Sequence, residues 1–196
     1  LERAFENCEK LQRHMHFLLN KGGLYKVYNG NLLYHGCVPL KEDGNLKSVR
    51  IFGRAYKGKG LYEVLESYVR KGFYAMDPKE KERGKDIMWY IWLSENSPLF
   101  GKDKMATFER YFLAEKETHK EKKNPYYLLL EDEKVVGKIL KEFGLESEDA
   151  HIINGHVPVK CKDGENPVKC GGKVLVIDGG FSKAYQKETG IAGYTL

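Results

Sequence analysis

Two histidines follow short apolar runs and stand beside a glycine. His35 comes directly after Leu32-Leu33-Tyr34, and His156 comes after Ile152-Ile153-Asn154-Gly155. Both runs are typical of β-strands, and ligands bind at strand ends in layered α/β proteins. An imidazole with a small neighbour has room for a metal ion or a phosphate, so both histidines are candidate ligands. The alternative is that each histidine is only a hydrogen-bonded residue at a strand terminus.

An acidic residue follows a third apolar run. Val176-Ile177 leads into Asp178 and two glycines, and Lys183 comes three residues after the second glycine. A carboxylate at this place could orient a metal-bound histidine, although capping a turn is the more frequent role of such an aspartate. Lys183 could contact a phosphate, or it is one solvated lysine among many.

Basic side chains follow a loop signal in the middle of the chain. Lys102, Lys104 and Arg110 come after Ser97-Pro98, and they are the better candidates for contact with an anion. The charged runs 79–85 and 115–123 contain both signs of charge and favour solvated faces.

Alternating helical and strand patterns predict the elements that position these residues. Apolar residues at helical spacing predict helices over 1–19, 61–75, 78–93, 108–113 and 131–143, with Asp77 as a cap. Strands are predicted over 24–28, 32–35, 48–52, 151–154 and 174–177 and at Val168, and Asn29-Gly30-Asn31 predicts a tight hairpin. The mixture favours an α/β or α+β layered sandwich.

Both tryptophans fall in the predicted helix over 78–93. Trp89 and Trp92 stand three residues apart. This spacing favours packing in the core over a cofactor-binding role.

Composition narrows the class of protein. The 196 residues suit a single domain, and 41% hydrophobic content suffices for a core. No apolar run reaches the roughly 18 residues of a membrane helix, and a net charge of +5 with interleaved acids does not support nucleic-acid binding. Four scattered cysteines indicate reduced thiols and a cytoplasmic protein, with a Cys161–Cys170 disulfide as the less favoured alternative. The chain opens inside a helical pattern without Met and stops in an apolar β-type stretch over 194–196, so we expect a piece of a longer protein.

Two segments around the histidines resemble motifs of calcineurin-like metallophosphoesterases. Tyr34–Pro39 resembles their histidine-glycine motif, and Asn154–Lys160 resembles their closing Gly-His motif. Further segments resemble, in order along the whole chain, the bacterial class III fructose-1,6-bisphosphatases; these segments are 10–15, 96–102, 107–112, 119–121, 124–127, 176–185 and 189–196.

The resemblance implies a fold, an activity and a set of site residues. The fold would be the C-terminal half of an α/β metallophosphoesterase β-sandwich, one domain over 1–196 with a helical insertion at about 60–145. The activity would be manganese-dependent hydrolysis of fructose 1,6-bisphosphate, a small sugar phosphate, in gluconeogenesis. The enzyme would be cytoplasmic and could form a homo-oligomer. By the resemblance, His35 and His156 match the metal-ligating histidines, and Asp178 would support them. Position and charge make Lys102 the first choice for phosphate contact and Arg110 the second, with Lys183 near the sugar or distal phosphate.

The chain departs from this family pattern in one respect. The other metal-ligand motifs of metallophosphoesterases, Asp-x-His, Gly-Asp-x-x-Asp-Arg-Gly and Gly-Asn-His-Glu, lie before the histidine-glycine motif in that superfamily, and none of them occurs before His35 in this chain. We therefore expect the catalytic residues outside this chain, with weak manganese binding and no hydrolysis by the chain alone. Two alternatives stay open: another metallophosphoesterase, such as a protein phosphatase or a dinucleotide polyphosphate hydrolase, and a non-catalytic fragment that serves assembly or regulation.

Overall fold

Helices and strands alternate along residues 1–179, 183 and 186–190, which the computed structural model describes. The helices are α1 (Glu2–Glu6), α2 (Glu9–Lys21), α3 (Gly58–Tyr74), α4 (Pro78–Leu93), α5 (Thr107–Phe112), α6 (Glu133–Glu142) and α7 (Gln186–Thr189). The strands are β1 (Tyr25–Tyr28), β2 (Asn31–Tyr34), β3 (Val49–Ile51), β4 (Arg54–Tyr56), β5 (Ile152–Asn154), β6 (Val168–Lys169) and β7 (Val174–Val176). The predicted mixed α/β class is confirmed. The apolar stretch predicted over 194–196 lies outside the described residues.

A mixed sheet runs in the order β1-β2-β5-β7-β6, and β3 pairs with β4 in a separate hairpin. Strands β2, β5 and β7 are parallel, while β1 and β6 join the two edges in antiparallel fashion. Leu33 is the register partner of Ile153, which in turn partners Leu175. Since parallel strands share a direction, the carboxyl ends of β2, β5 and β7 meet at one edge of the sheet.

The hairpin between β1 and β2 confirms the prediction made from Asn29-Gly30. The two residues have φ angles of 48° and 75°. Positive φ at both central residues of a two-residue connection defines the turn whose twist matches that of the strands. The turn fixes the register of β2 and thereby the place where β2 ends.

The core lies between the sheet and helix α6. Leu32, Ile152 and Val174 stand side by side on the three parallel strands and have no solvent exposure. Helix α6 covers this row with a buried stripe at helical spacing that includes Val136 and Ile139. Asp132 caps α6, because its carboxylate accepts from the backbone N–H groups of the first turn. The buried row anchors the parallel strands that end at the candidate site.

Helices α3 and α4 form a second core with strand β3. The helices approach closely at Gly72 and Gly84, where a Cβ on Gly72 would lie 2.5 Å from the Cα of Gly84. Asp77 accepts a hydrogen bond from the backbone N–H of Lys79 at 3.3 Å, which confirms the predicted cap of α4. Ile87 and Ile91 are the apolar residues that α4 buries.

The prediction that Trp89 and Trp92 pack in the core is wrong. Both side chains are 68% exposed. Each residue of a helix turns by about 100°, so the stripe that contains Ile87 and Ile91 packs in the second core, and both tryptophans lie outside this stripe on an open groove shared with Phe73 of α3. Spacing of the tryptophans alone could not reveal which face of α4 meets α3.

One further prediction needs correction at the beginning of the chain, and one strand before α3 was missed. The helix predicted over 1–19 is interrupted at Asn7 and Cys8, where Cys8 has extended backbone angles. Asparagine has a low helix propensity, and neither α1 nor α2 buries a residue that could hold the two together. Strand β4 was not predicted from the sequence. No helix in the described part of the chain is long and apolar enough to span a membrane. Cys8, Cys37 and Cys170 are free thiols.

Candidate metal and phosphate site

The parallel strands bring three predicted site residues to one edge of the sheet. His35 follows β2 directly, and His156 and Asp178 stand two residues after the ends of β5 and β7. The backbone N–H of Gly155 donates to the carbonyl of His35 at 3.0 Å, so the strand pairing continues into the site. The N–H of Val159 donates to the carbonyl of Asp178 at 2.8 Å. His35, His156 and Asp178 form what we call the strand-end site.

The two imidazoles contact each other through one nitrogen of each ring. The Nε2 atom of His35 lies 3.0 Å from the Nδ1 atom of His156. The other ring nitrogen of His156, Nε2, lies 2.8 Å from the carbonyl oxygen of Phe100. A carbonyl only accepts, so Nε2 of His156 carries the proton and donates it to Phe100. The lone pair of a neutral His156 is therefore on Nδ1 and points at His35.

The surroundings of both histidines favour the neutral form. Partial burial lowers the pKa of His35, against the opposing influence of the Asp178 carboxylate. Burial also lowers the pKa of His156, and the neighbouring His35 ring lowers it further, while the Phe100 carbonyl and Asp178 act in the opposite direction. Neutral imidazole is the form that binds metal ions.

Glycines and a buried asparagine allow the segments of the site to approach closely. A Cβ on Gly36 would collide with the carbonyl oxygen of Pro98, and a Cβ on Gly155 would lie 3.2 Å from the Cβ of Asp178. Asn154 is buried and donates from Nδ2 to the carbonyl of Gly36 at 3.0 Å. His156 has a φ of 66°, a left-handed angle that is uncommon for a residue with a side chain. Uncommon backbone angles of this kind cluster at functional sites.

The predicted phosphate contacts Lys102 and Arg110 meet on one carboxylate. Glu121 accepts from Lys102 Nζ at 2.9 Å, and Arg110 Nη2 lies 3.5 Å from its other oxygen. The backbone N–H of Ala106 donates to the same oxygen at 3.1 Å. Burial alone would raise the pKa of Glu121, but the hydrogen bonds from Lys102 and Ala106 and the two positive charges hold the pKa below its usual value. Glu121 therefore pairs with both cations.

Lys183 is not brought into contact with these residues by the described part of the chain. It is an exposed turn residue. Lys183 belongs to the segment 176–185, which resembles the family. Residues 180–182 and 184–185 of this segment lie outside the described residues.

Sequence reasoning missed two partners of the predicted residues. The carbonyl of Phe100, which orients His156, is a backbone group and leaves no mark in residue type. Glu121 lies in the charged run 115–123, which was interpreted as a solvated face, yet its side chain is only 17% exposed. The isolated pairing of Lys102 with Lys123 brings residue 121 back to the loop, and only the fold reveals this contact.

The strand-end site fits part of a divalent metal centre. Two nitrogens bound to one ion at about 2.1 Å and about 90° apart lie about 3.0 Å from each other, which matches the separation of the two imidazoles. Metal-ligating histidines usually donate their other N–H to a carbonyl or carboxylate, as His156 does to Phe100. Within residues 1–179, 183 and 186–190, no group of three or more His, Cys, Asp or Glu residues is arranged to hold an ion. The described residues thus offer two ligands.

A mixed α/β chain that presents two neighbouring histidines at the carboxyl ends of parallel strands is an α/β protein with a metal-compatible site. The family model of the firmicute fructose-1,6-bisphosphatases matches residues 1–196. The chain belongs to that family.

Relatives support this assignment along the whole chain. The chain is 59% identical over 197 residues to proteins named fructose-1,6-bisphosphatase class 3 from Clostridium botulinum and Clostridioides difficile. All of the chain is covered in these alignments, but it spans only 30% of the length of each relative. No solved structure matches the chain significantly.

Proposed function

We propose that this chain provides two metal-ligating histidines to a fructose-1,6-bisphosphatase, which hydrolyses fructose 1,6-bisphosphate to fructose 6-phosphate and phosphate. The observation that carries the proposal is the separation of 3.0 Å between His35 Nε2 and His156 Nδ1 at a strand edge. The substrate follows from the relatives, which are 59% identical and are named fructose-1,6-bisphosphatase class 3. A role in cytoplasmic gluconeogenesis goes with this activity.

His35 and His156 would each direct a ring nitrogen at the same divalent ion, for which we propose manganese. His156 keeps its Nδ1 lone pair available because Nε2–H is engaged by the Phe100 carbonyl at 2.8 Å. The carboxylate of Asp178 would stabilise the positive charge of the ion at the two histidines, since Asp178 already acts electrostatically on both rings. When bound, a divalent metal polarises a phosphoryl oxygen and activates water as the nucleophile.

Lys102 and Arg110 are proposed to contact the phosphate that is cleaved. Lys102 lies two residues after Phe100, and its positive charge already influences the pKa of His156. Glu121 holds both cations at the edge of the site, and a phosphate dianion would compete with it for them. For Lys183 we propose contact with the sugar or the distal phosphate.

The chain alone is proposed to be inactive. Two histidines leave most coordination positions of an ion to water, so manganese should bind weakly. The missing ligands and the catalytic residues would come from the part of the family polypeptide that this chain does not span, which amounts to most of each relative.

A chimeric enzyme tests the proposal directly. In it, these 196 residues replace the matching segment of the Clostridioides difficile class 3 protein. We expect manganese-dependent phosphate release from fructose 1,6-bisphosphate and a strong preference for it over a phosphopeptide or a dinucleotide polyphosphate. The 196-residue chain by itself should release none. Preference for a phosphopeptide or a dinucleotide polyphosphate would mean that the enzyme is another phosphoesterase and not a sugar bisphosphatase. An active chimera that is insensitive to His35→Ala would refute the role of the histidines.

A further inference from the structure

A cavity of about 250 Å³ is lined in part by Lys102, and its charged lining is dominated by lysines. At about 30 Å³ for each water molecule, it holds about eight waters, which is room for a phosphate group and part of a sugar. We call it the lysine cavity; its lysines are Lys41, Lys47, Lys102, Lys122 and Lys123.

The acidic residues near the lysine cavity are already engaged with some of these lysines. Glu95 lies 3.7 Å from Lys47, and Glu42 lies 3.3 Å from Lys122. The third lining acid, Asp103, accepts from a backbone N–H at 2.7 Å. Lys102 is held by Glu121 as described above.

Two lysines of the cavity differ from the other three. In the described part of the chain, Lys41 and Lys123 make no ion pair. Burial lowers the pKa of Lys123, the nearby Lys160 and Lys102 lower it further, and Glu165 acts in the opposite direction. The protonated amine of Lys123 thus lacks a close counter-ion, and a bound anion would supply one.

The lysine cavity is close to the candidate metal ligands. Lys102 pairs through its backbone with Lys123 and stands two residues after Phe100, whose carbonyl holds His156. Two residues of extended chain span at most about 7 Å, so the wall of the cavity lies near the histidines. A bisphosphorylated sugar carries its two phosphates at opposite ends of one small molecule. Such a ligand could place one phosphate at the candidate metal ligands and the other in the lysine cavity.

We propose that the lysine cavity binds a phosphate monoester dianion through Lys41 and Lys123. One source is the distal phosphate of the bisphosphate substrate, and this assignment rests on the function proposed above. The other source is a separate phosphate compound that binds beside the substrate. Both sources present the same chemical group to the same two ammonium groups.

The first experiment measures binding of inorganic phosphate to the 196-residue chain by calorimetry or ³¹P NMR. Lys41→Met and Lys123→Met should each weaken binding at least about tenfold, as expected for loss of a charged hydrogen bond. The control is Lys79→Met, which removes the same charge at the other end of the 16-residue helix α4, about 24 Å from Glu95 on the cavity wall. Absence of phosphate binding, or equal weakening by all three substitutions, would overturn the proposal.

The second experiment identifies the source with the chimera. The measured quantity is the preference in kcat/KM for fructose 1,6-bisphosphate over fructose 1-phosphate, which lacks the distal phosphate. If the cavity holds the substrate's second phosphate, Lys123→Met lowers this preference about tenfold and Lys79→Met leaves it unchanged. An unchanged preference, together with weaker phosphate binding by the chain, assigns the cavity to a separate phosphate compound. A chimera that hydrolyses neither sugar phosphate contradicts the proposed function. The phosphate titration of the chain still decides whether the lysine cavity binds phosphate.

Discussion

His35 and His156 are 121 residues apart in sequence, yet their facing ring nitrogens lie 3.0 Å from each other. The parallel pairing of β2 with β5 produces this contact, because it places Leu33 beside Ile153 and lets both strands end at the same edge. The hydrogen bond from Gly155 N–H to the His35 carbonyl extends the pairing to the histidines themselves. All of the chain from β3 to α6 is inserted between the two strands.

The first prediction concerns the histidines as metal ligands. In the chimera, His35→Ala or His156→Ala should lower manganese-dependent activity by about 100-fold or more, because loss of even an outer partner of a metal site costs about 10- to 100-fold. His151→Ala is the matched control. His151 precedes the opposite end of β5, where its Nδ1 lies 3.2 Å from Asn31 Oδ1. Equal losses for all three variants would mean that the histidines act through folding alone.

The second prediction concerns the close approach at Gly36. Gly36→Ala should destabilise the chain by about 1–3 kcal/mol, since the new methyl group meets the Pro98 carbonyl oxygen. Gly137→Ala should stabilise it by about 0.5–1 kcal/mol, because Gly137 lies in the exposed face of α6 with open space around it. Urea unfolding measures both changes. A neutral Gly36→Ala substitution would contradict the close packing of the 97–102 loop against the strand end.

The third prediction follows from the lowered pKa of Glu121. The Glu121 carboxylate stabilises the folded chain at pH values above its unfolded pKa, about 4.3, and this stabilisation is lost as the pH falls through the lower folded value. Glu121→Gln should therefore be less stable than the parent chain at pH 6, and the difference should shrink toward pH 3. Unfolding free energies across this range test it, with exposed Glu115→Gln as the control from the same charged run. A difference that grows on acidification would refute the ion-pair arrangement.

The fourth prediction concerns the exposed face of α4. Trp89 and Trp92 are the two tryptophans of the chain, and each is 68% exposed. The fluorescence of the 196-residue chain should have the emission maximum of indole in water, and acrylamide should quench it fully. Blue-shifted emission that resists quenching would show that this face is covered in solution.

Local signals predicted the parts of the fold that depend on neighbours in sequence. Asn29-Gly30 predicted the hairpin because a tight turn needs positive φ angles at its two central residues, and these two residue types adopt such angles readily. Asp77 predicted the start of α4 because a cap acts on the very next turn. The histidines after apolar runs predicted a site at strand ends, and the structure brings both histidines together there.

Long-range contacts explain what the sequence could not predict. Glu121 reaches Lys102 across 19 residues, so its part in the site depends on how two loops pair. Which face of α4 is buried depends on α3, because the helices approach at Gly72 and Gly84 with Ile87, and not the tryptophans, in the second core. The lysine cavity likewise collects residues from several loops that are distant in sequence.

Anomalous diffraction at the manganese edge from crystals of the manganese-loaded chimera tests the central claim most directly. We predict a manganese peak between the two imidazoles, with His35 Nε2 and His156 Nδ1 both within bonding distance of the ion and His156 Nε2–H still donated to the Phe100 carbonyl. Manganese bound elsewhere, with the two histidines still hydrogen-bonded to each other, would contradict the proposal that this chain supplies metal ligands.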